Sequence, residues 1–321
     1  MRAWDELVER CALRRRDHIG PLSDRAYEEL LLAVRADPAS FVDDPAEQAF
    51  LEVARALDAY GASLGDDDLL DDDEYQAARA RRLAVLGAAC AHAASVDERC
   101  LDARLLEALA ADLDPDPLIE RLLRLEREFG SRRPADELPC DWGDVRDRPR
   151  LRLRAALSRT LLDGAHLALA RDTAASVVAA TPQDPLGARH TQALALARLE
   201  DEEGFDALDA RFGRRGTTWT HLARVLLLYK LDRMPAARRA LHGFDDLCEG
   251  GAYALLRPTY VETYLPDRPE VAPGSFEESM QAAREAEPIV ADVPDLVPWC
   301  QGQDWFVASA RSFAERNDLD W

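Results

Sequence analysis

Lysine is almost missing from this chain of 321 residues, because Lys230 is the only one among 40 basic residues. Acidic residues number 61, so the formal net charge is −21. A field this negative repels nucleic acids and anionic membranes, and we expect neither as a partner. The acidic, lysine-poor composition fits either a GC-rich genome or adaptation to high salt, and the abundant aliphatic residues favour the first.

Long apolar segments and paired cysteines are lacking as well. No apolar run reaches the roughly 18 residues of a transmembrane helix, and the charged first residues lack the apolar core of a secretory signal. The six cysteines are scattered without a Cys-x-x-Cys pair, which predicts free thiols. These absences indicate a cytoplasmic protein.

The sequence also lacks the familiar catalytic motifs. It contains no G-x-S-x-G, no P-loop, no H-E-x-x-H and no dinucleotide-binding glycine motif, and its six histidines are dispersed. We therefore predict that the protein is not an enzyme and takes no cofactor. An enzyme whose all-helical pocket has no recognisable motif stays open as an alternative.

Two stretches contain the residue types that ligate metals. The acidic run 66–74 lacks the glycine and the spacing of a calcium loop, and its last acids more simply lie at a helix N-terminus. Cys90, His92 and Cys100 could supply zinc ligands, but Cys90 lies in an alanine-rich helix, where cysteine packs as a small hydrophobic residue. We predict no metal site.

Apolar residues recur with the helical spacing i, i+3, i+4 and i+7, and no convincing alternating run is present. In the N-terminal half this pattern predicts five helices, at 23–37, 44–61, 71–94, 97–112 and 115–129. Glycine and proline break the pattern over 130–147. Beyond this break, helix–turn–helix units of about 34 residues follow one another, at 148–180, 184–214 and 217–248.

The repeat length and its apolar positions are typical of tetratricopeptide repeats. In the first unit the matching residues are Leu157, Leu161, Ala170 and Pro182; in the third they are Trp219, Leu222, Ala223 and Leu226. The sequence therefore predicts an all-α, tetratricopeptide-like solenoid with additional N-terminal helices and a C-terminal helical cap. The predicted segments are N-terminal helices at 1–130, a linker at 131–147, repeats at 148–250 and capping helices at 251–321.

From Arg148 onward the chain resembles bacterial relatives of the suppressor-of-tumorigenicity-seven family. The likeness rests on three stretches over about 148–300: 148–157 (RPRLRLRAAL), 181–189 (TPQDPLGAR) and 257–279, with its Pro- and Tyr-rich turn and GSFEES, followed by Trp299. Arg150 stands where that family has an aromatic residue, and Ser279 where it has alanine. The resemblance implies a helical-repeat interaction protein without known catalytic residues.

Two features of the C-terminal segment predict local structure. Ser275 and Glu278 have the spacing of a capping box, which marks a helix start. Four aromatic residues at helical spacings are expected to form a core that caps the last repeat. They are Trp299, Trp305, Phe306 and Phe313.

Arginines give the most specific functional hypothesis. Residues 148–200 carry 8 basic and 4 acidic groups, a basic island in an acidic chain. The repeat register points four side chains at one concave groove, where they would clamp a protein or an acidic peptide. They are Arg152, Arg159, Arg189 and Arg224. Two alternatives stay open: these arginines pair with acids of the chain such as Asp163, Asp184 or Glu200, or the protein is a structural homo-oligomer.

Overall fold

The computed structural model describes residues 3–65, 70–130, 140–259, 261, 265 and 267–321. Within these residues the chain forms sixteen α-helices and one short 3-10 helix, and no strand. The all-α prediction is therefore confirmed. Among the helices so described, none has the length and apolarity that crossing a membrane requires.

The chain divides into two compact units, 1–153 and 154–321. The division falls inside one helix, between Leu153 and Arg154. The four segments predicted from the sequence are not tested by this division and stay a prediction.

Unit 1 consists of helices that pack mainly against their sequence neighbours: α3 contacts α4, α4 contacts α5, and α5 contacts α6, while α1 contacts both α2 and α3. Their bounds are α1 Ala3–Ile19, α2 Asp24–Ala36, the 3-10 helix Pro38–Phe41, α3 Pro45–Ala62, α4 Asp72–Val96, α5 Leu101–Leu109, α6 Pro115–Gly130 and the start of α7, Arg148–Asp163. Five of these helices bury large apolar side chains, of which one from each is Leu7, Phe50, Leu86, Leu105 and Leu122. The sequence pattern predicts six of these elements, α2 to α7, and neither α1 nor the 3-10 helix.

Side chains cap the predicted helix starts in unit 1. Ser23 accepts a hydrogen bond from the Ala26 amide at 3.3 Å, and Asp44 accepts one from the Ala46 amide at 2.9 Å. Asp71 and Glu74 form a reciprocal capping box at the start of α4. The end of the acidic run thus stabilises a helix N-terminus, as predicted, whereas residues 66–69 of that run lie outside the described residues.

Unit 2 contains the rest of α7 and nine further helices. Their bounds are α8 Leu167–Ala180, α9 Ala188–Arg198, α10 Glu202–Arg211, α11 Thr218–Lys230, α12 Met234–Leu247, α13 Gly251–Leu256, α14 Phe276–Ala291, α15 Leu296–Gln301 and α16 Asp304–Arg316. Adjacent helices pair, as α8 does with α9 and α11 with α12, and α9 also contacts α11 beyond the intervening α10. The helix ends that the repeat pattern predicts near residues 163, 180 and 248 are confirmed.

The C-terminal prediction is confirmed in part. Phe306 and Phe313 are buried, whereas Trp299 and Trp305 are half-buried. Trp305 stacks on the ring of His242, with the ring centroids 3.6 Å apart. Of the four rings, only Trp305 and Phe306 contact each other among the described pairs, with their centroids 5.4 Å apart. A common aromatic core that caps a last repeat stays a prediction.

Ser275 is the N-cap of α14, as predicted, since its hydroxyl oxygen accepts a hydrogen bond from the Glu278 amide at 3.2 Å. The return bond differs from a capping box: the Glu278 carboxylate accepts from the amide of Gly274 at 2.8 Å, one residue earlier. The same carboxylate accepts from the Thr218 hydroxyl at 2.6 Å, which ties α14 to α11.

Candidate functional site

The first of the four predicted arginines, Arg152, lies inside unit 1 with 5% of its surface exposed. Its guanidinium binds the Glu6 carboxylate and lies 3.1 Å from Asp102 Oδ1. Arg10 binds the same two acids, with Nη2 at 2.5 Å from Glu6 Oε1 and 2.6 Å from Asp102 Oδ2. We call these four residues, Glu6, Arg10, Asp102 and Arg152, the unit 1 cluster.

The unit 1 cluster keeps its deepest acid ionised. Burial opposes the charge on Glu6, but the guanidiniums of Arg152 and Arg10 outweigh it and lower the pKa of Glu6 to about 2. Two positive and two negative groups therefore balance one another in the interior. Such an arrangement is costly to break, because removal of one partner leaves a buried charge unpaired.

The second predicted arginine, Arg159, lies in unit 2 with 7% of its surface exposed. Its Nη2 donates to Asp163 Oδ1 at 2.8 Å, and its Nη1 donates to the Glu285 carbonyl oxygen at 3.0 Å and lies 3.2 Å from Glu285 Oε2. Arg268 binds the Glu285 carboxylate with two parallel hydrogen bonds, of 2.8 and 3.0 Å. We call Arg159, Asp163, Arg268 and Glu285 the unit 2 cluster.

Glu285 belongs to α14 and is fully buried. Besides the two guanidiniums, the Trp219 indole N–H of α11 donates to its carboxylate at 2.9 Å. The sequence predicts that the inward face of α7 and α11 receives an acidic partner. At Arg159 of α7 and Trp219 of α11, this face instead contacts Glu285 of α14, a helix of the same chain.

Arg189 and Arg224 are half-buried in unit 2. Arg189 Nε lies 3.5 Å from Asp184 Oδ2, and Arg224 Nη2 donates to Asp209 Oδ2 at 2.8 Å. Each guanidinium also lies over a phenylalanine ring, 4.7 Å and 5.0 Å from the centroid respectively. Both arginines thus have intramolecular partners on two sides.

The structure places the four predicted arginines in two units and at different depths. Arg152 belongs to unit 1 and the other three to unit 2, and burial removes Arg152 and Arg159 from solvent. The alternative of intramolecular pairing is confirmed for Asp163 and Asp184. The third acid considered, Glu200, pairs with Lys230 instead, at 2.9 Å. Partner binding by the four arginines stays a prediction.

Unit 1 contains a cavity of about 340 Å³. This volume lies at the lower end of the range of small-molecule sites, about 300–1,000 Å³. Its walls come from α1, the starts of α3, α5 and α7, and the end of α6. Arg10 and Asp102 of the unit 1 cluster line it. We call it the arginine cavity, because five guanidinium-bearing residues line it: Arg10, Arg14, Arg99, Arg146 and Arg150.

Three of these arginines are neutralised by carboxylates. Arg10 pairs with the two acids of the unit 1 cluster. Arg14 pairs with Asp44 and Glu47, and Arg146 pairs with Asp17. The remaining two, Arg99 and Arg150, have no ion-pair partner among the residues that the structure describes. Four acids line the same cavity, Asp17, Glu47, Asp97 and Asp102, so its five arginines exceed its carboxylates by one. Unit 1 as a whole, residues 1–153, carries 35 acidic and 22 basic residues.

One helix start adds to the positive character of the arginine cavity. α5 begins at Leu101 without a side-chain cap, and Cys100, Leu101 and Asp102 line the cavity. Unsatisfied amides and the helix dipole make such an end favourable for anions. The start of α7 offers the cavity no free amide, because Pro149 has no N–H and the Arg150 amide donates to the Asp147 carbonyl oxygen at 3.1 Å.

The cavity walls do not offer a reactive thiol. Burial raises the pKa of Cys100 to about 12, so the thiol stays protonated at neutral pH. Burial raises the pKa of Cys90 to about 12 as well. All six cysteines are free, as predicted. Among the described residues no group of three or more His, Cys, Asp and Glu side chains is placed to hold a metal ion.

Sequence reasoning missed both open arginines of the cavity. Arg150 was noted as an arginine where the resembled family has an aromatic residue, and that departure was the available signal. Arg99 follows Asp97 and Glu98 in a charged turn, and nothing in its surroundings distinguishes it from other surface arginines.

No protein-family model, no curated protein and no solved structure matches the chain. The resemblance to relatives of the suppressor-of-tumorigenicity-seven family therefore stays a prediction.

Proposed function

We propose that this chain is a non-catalytic binding protein for a carboxylate-bearing ligand, and that the arginine cavity of unit 1 is its site. The observation that carries the proposal is the pair Arg99 and Arg150, which line a ligand-sized cavity and have no ion-pair partner among the described residues. With Asp97 on the same wall, the cavity has five arginines and four acids. Guanidinium groups bind carboxylates through charge-assisted and often bidentate hydrogen bonds. The ligand class thus agrees with the acidic partner expected from the sequence, whereas the proposed site differs.

The electrostatics around Arg99 and Arg150 favour selective recognition over general attraction. Because unit 1 carries 35 acidic and 22 basic residues, an anion gains nothing from the overall field and must be held by local contacts. The amides at the uncapped start of α5 supply further donors beside the guanidiniums. A ligand with two carboxylates close together suits this arrangement best.

Binding fits the cavity better than catalysis does. The wall cysteine, Cys100, is protonated, and no histidine lines the cavity within the described residues. We propose that the paired helices of unit 2 form a solenoid-like scaffold. We also propose that the protein is located in the cytoplasm. An all-helical enzyme remains the second hypothesis, without an observation in its favour.

Titration calorimetry of the full chain with glutarate, a small dicarboxylate, tests the proposal. We expect saturable binding that weakens at least tenfold in both Arg99→Ala and Arg150→Ala, since loss of a charged hydrogen-bonding partner costs about 2–5 kcal/mol where the pair is desolvated. Arg124→Ala is the matched control, because Arg124 is an exposed arginine of unit 1 outside the cavity. Absence of glutarate binding, or equal affinity in all three variants, would refute the proposal.

A further inference from the structure

A second cavity of about 500 Å³ adjoins the arginine cavity in unit 1. The two cavities share three wall residues, Leu13, Val145 and Arg146. The two cavities are therefore neighbours in unit 1, with these three residues between them.

The two cavities differ in chemistry. The second cavity has an apolar wall that includes Leu13, Tyr27, Leu31 and Val145. Tyr27 and Leu31 both belong to α2 and are half-buried, so part of their apolar surface faces solvent. The first cavity supplies positive charge and the second supplies apolar contact.

From this juxtaposition we infer that the ligand is an acidic peptide end, with its carboxylates at Arg99 and Arg150 and an apolar side chain of the preceding residue against Tyr27 and Leu31. The inference rests on the proposed function and deepens it. It assigns the α2 surface a role in selecting the ligand, which the proposed function alone does not require.

The charged residues of the second cavity favour a peptide over a fatty acid. Glu9, Arg16 and Asp144 also line it. A hydrocarbon chain would remove water from these groups and offer no hydrogen bond in return. A peptide backbone offers both donors and acceptors to them, while its side chain contacts the apolar wall.

The test compares three probes on the full chain by titration calorimetry: glutarate, acetyl-Gly-Glu and acetyl-Leu-Glu. All three present two carboxylates at the same spacing, and the peptides differ only in the apolar side chain. We expect acetyl-Leu-Glu to bind about tenfold more tightly than acetyl-Gly-Glu, the effect of burying about half of a leucine side chain. Arg150→Ala should weaken all three probes.

Leu31→Ser should abolish the preference for acetyl-Leu-Glu and leave glutarate affinity unchanged. Leu32→Ser is the matched control, because Leu32 is the next residue of α2, is 65% exposed and does not line the cavity. The control should keep the full preference. Thermal melting of both variants verifies that they are folded.

The possible failures are distinguishable. If glutarate binds through Arg150 but both peptides bind equally, or Leu31→Ser keeps the preference, the proposed function stands and this inference is overturned. Hexanoate, titrated under the same conditions, represents a fatty acid. If it binds more tightly than acetyl-Leu-Glu, a fatty acid is the ligand class and the peptide is rejected. If none of the probes binds, the proposed function falls and this inference with it.

Discussion

The two units each bury two arginines against two carboxylates, yet the two clusters differ in their surroundings. In unit 2, Glu285 is enclosed and receives hydrogen bonds from Arg159, Arg268 and Trp219. In unit 1, Arg10 and Asp102 form part of the wall of the arginine cavity. The same residue chemistry thus holds helices together in one unit and also supports a candidate binding site in the other.

Whether an arginine of this chain can bind a ligand depends on its burial and its ion pairs, not on its position in the sequence. Arg152 and Arg159 lie seven residues apart on α7, and each is fully engaged in the cluster of its own unit. Arg150 lies on the same helix, two residues before Arg152, but is without an ion-pair partner among the described residues. An arginine is available for a ligand only where the fold leaves it without a carboxylate.

Glu285→Ala should have the largest effect on stability, because it leaves two guanidiniums and an indole N–H without their shared acceptor. We expect the free energy of unfolding of unit 2 to fall by about 3–5 kcal/mol. Urea denaturation followed by tryptophan fluorescence measures it. Glu287→Ala is the control, since Glu287 is exposed on the same helix, and it should stay within about 0.5 kcal/mol of the wild type. Equal losses in both variants would show that the unit 2 cluster does not stabilise the fold.

Glu6→Gln should destabilise unit 1 by about 1.5–3 kcal/mol, the usual contribution of a hydrogen bond to a charged group. The loss should be smaller than that of Glu285→Ala, because Asp102 still faces Arg10 and Arg152 in the variant. Denaturation in urea at neutral pH gives the value. A loss as large as that of Glu285→Ala would mean that Asp102 does not compensate.

The same variant tests the pH dependence of unit 1. The pKa of Glu6 is about 2 in the folded chain and 4.5 ordinarily, so its ionised form stabilises the fold fully above pH 4.5. This stabilisation should disappear as the pH falls from 4.5 towards 2. The urea midpoint of the wild type should therefore approach that of Glu6→Gln across this window. A constant difference between the two proteins would contradict the assignment.

Ala223→Trp tests helix packing in unit 2. Ala223 is fully buried on α11, which contacts α9 and α12, so a large side chain has no space there. We expect a loss of about 1–3 kcal/mol, as is usual for overpacked cores. The control is Ala308→Trp, at an exposed position of α16. If Ala223→Trp melts together with the wild type, the repeat register assigned to α11 is wrong.

Local features of this fold could be predicted from sequence, whereas the charge clusters could not. Helix starts at Ser23, Asp44 and Thr217 are visible because a capping side chain binds amides two or three residues away. The pair of Glu6 and Arg152 joins residues 146 positions apart. Pairing at that range depends on how the helices pack, which neither spacing nor composition specifies.

The helical register had a similar limit. It directed Arg159 and Arg152 inward, and both side chains are buried. The register could not identify Glu285 of α14 as the partner of Arg159. The helix α14 begins more than 110 residues after Arg159, and its acids resemble the many others in the sequence. The arginine cavity was beyond prediction for the same reason, since its walls come from five separate helices.

Arg189→Ala and Arg224→Ala should have the smallest effects and thereby complete the comparison. Both guanidiniums are half-buried, with ion pairs at 3.5 and 2.8 Å. The buried Asp184 carboxylate keeps hydrogen bonds from the amides of residues 188 and 189 when the Arg189 side chain is removed. We expect each variant to lose less than about 1 kcal/mol, in the range of exposed ion pairs, whereas Arg152→Ala and Arg159→Ala should each lose about 3–5 kcal/mol. Urea denaturation of the four variants tests this order. If Arg189→Ala or Arg224→Ala were as damaging as Arg159→Ala, burial would not be what separates these arginines.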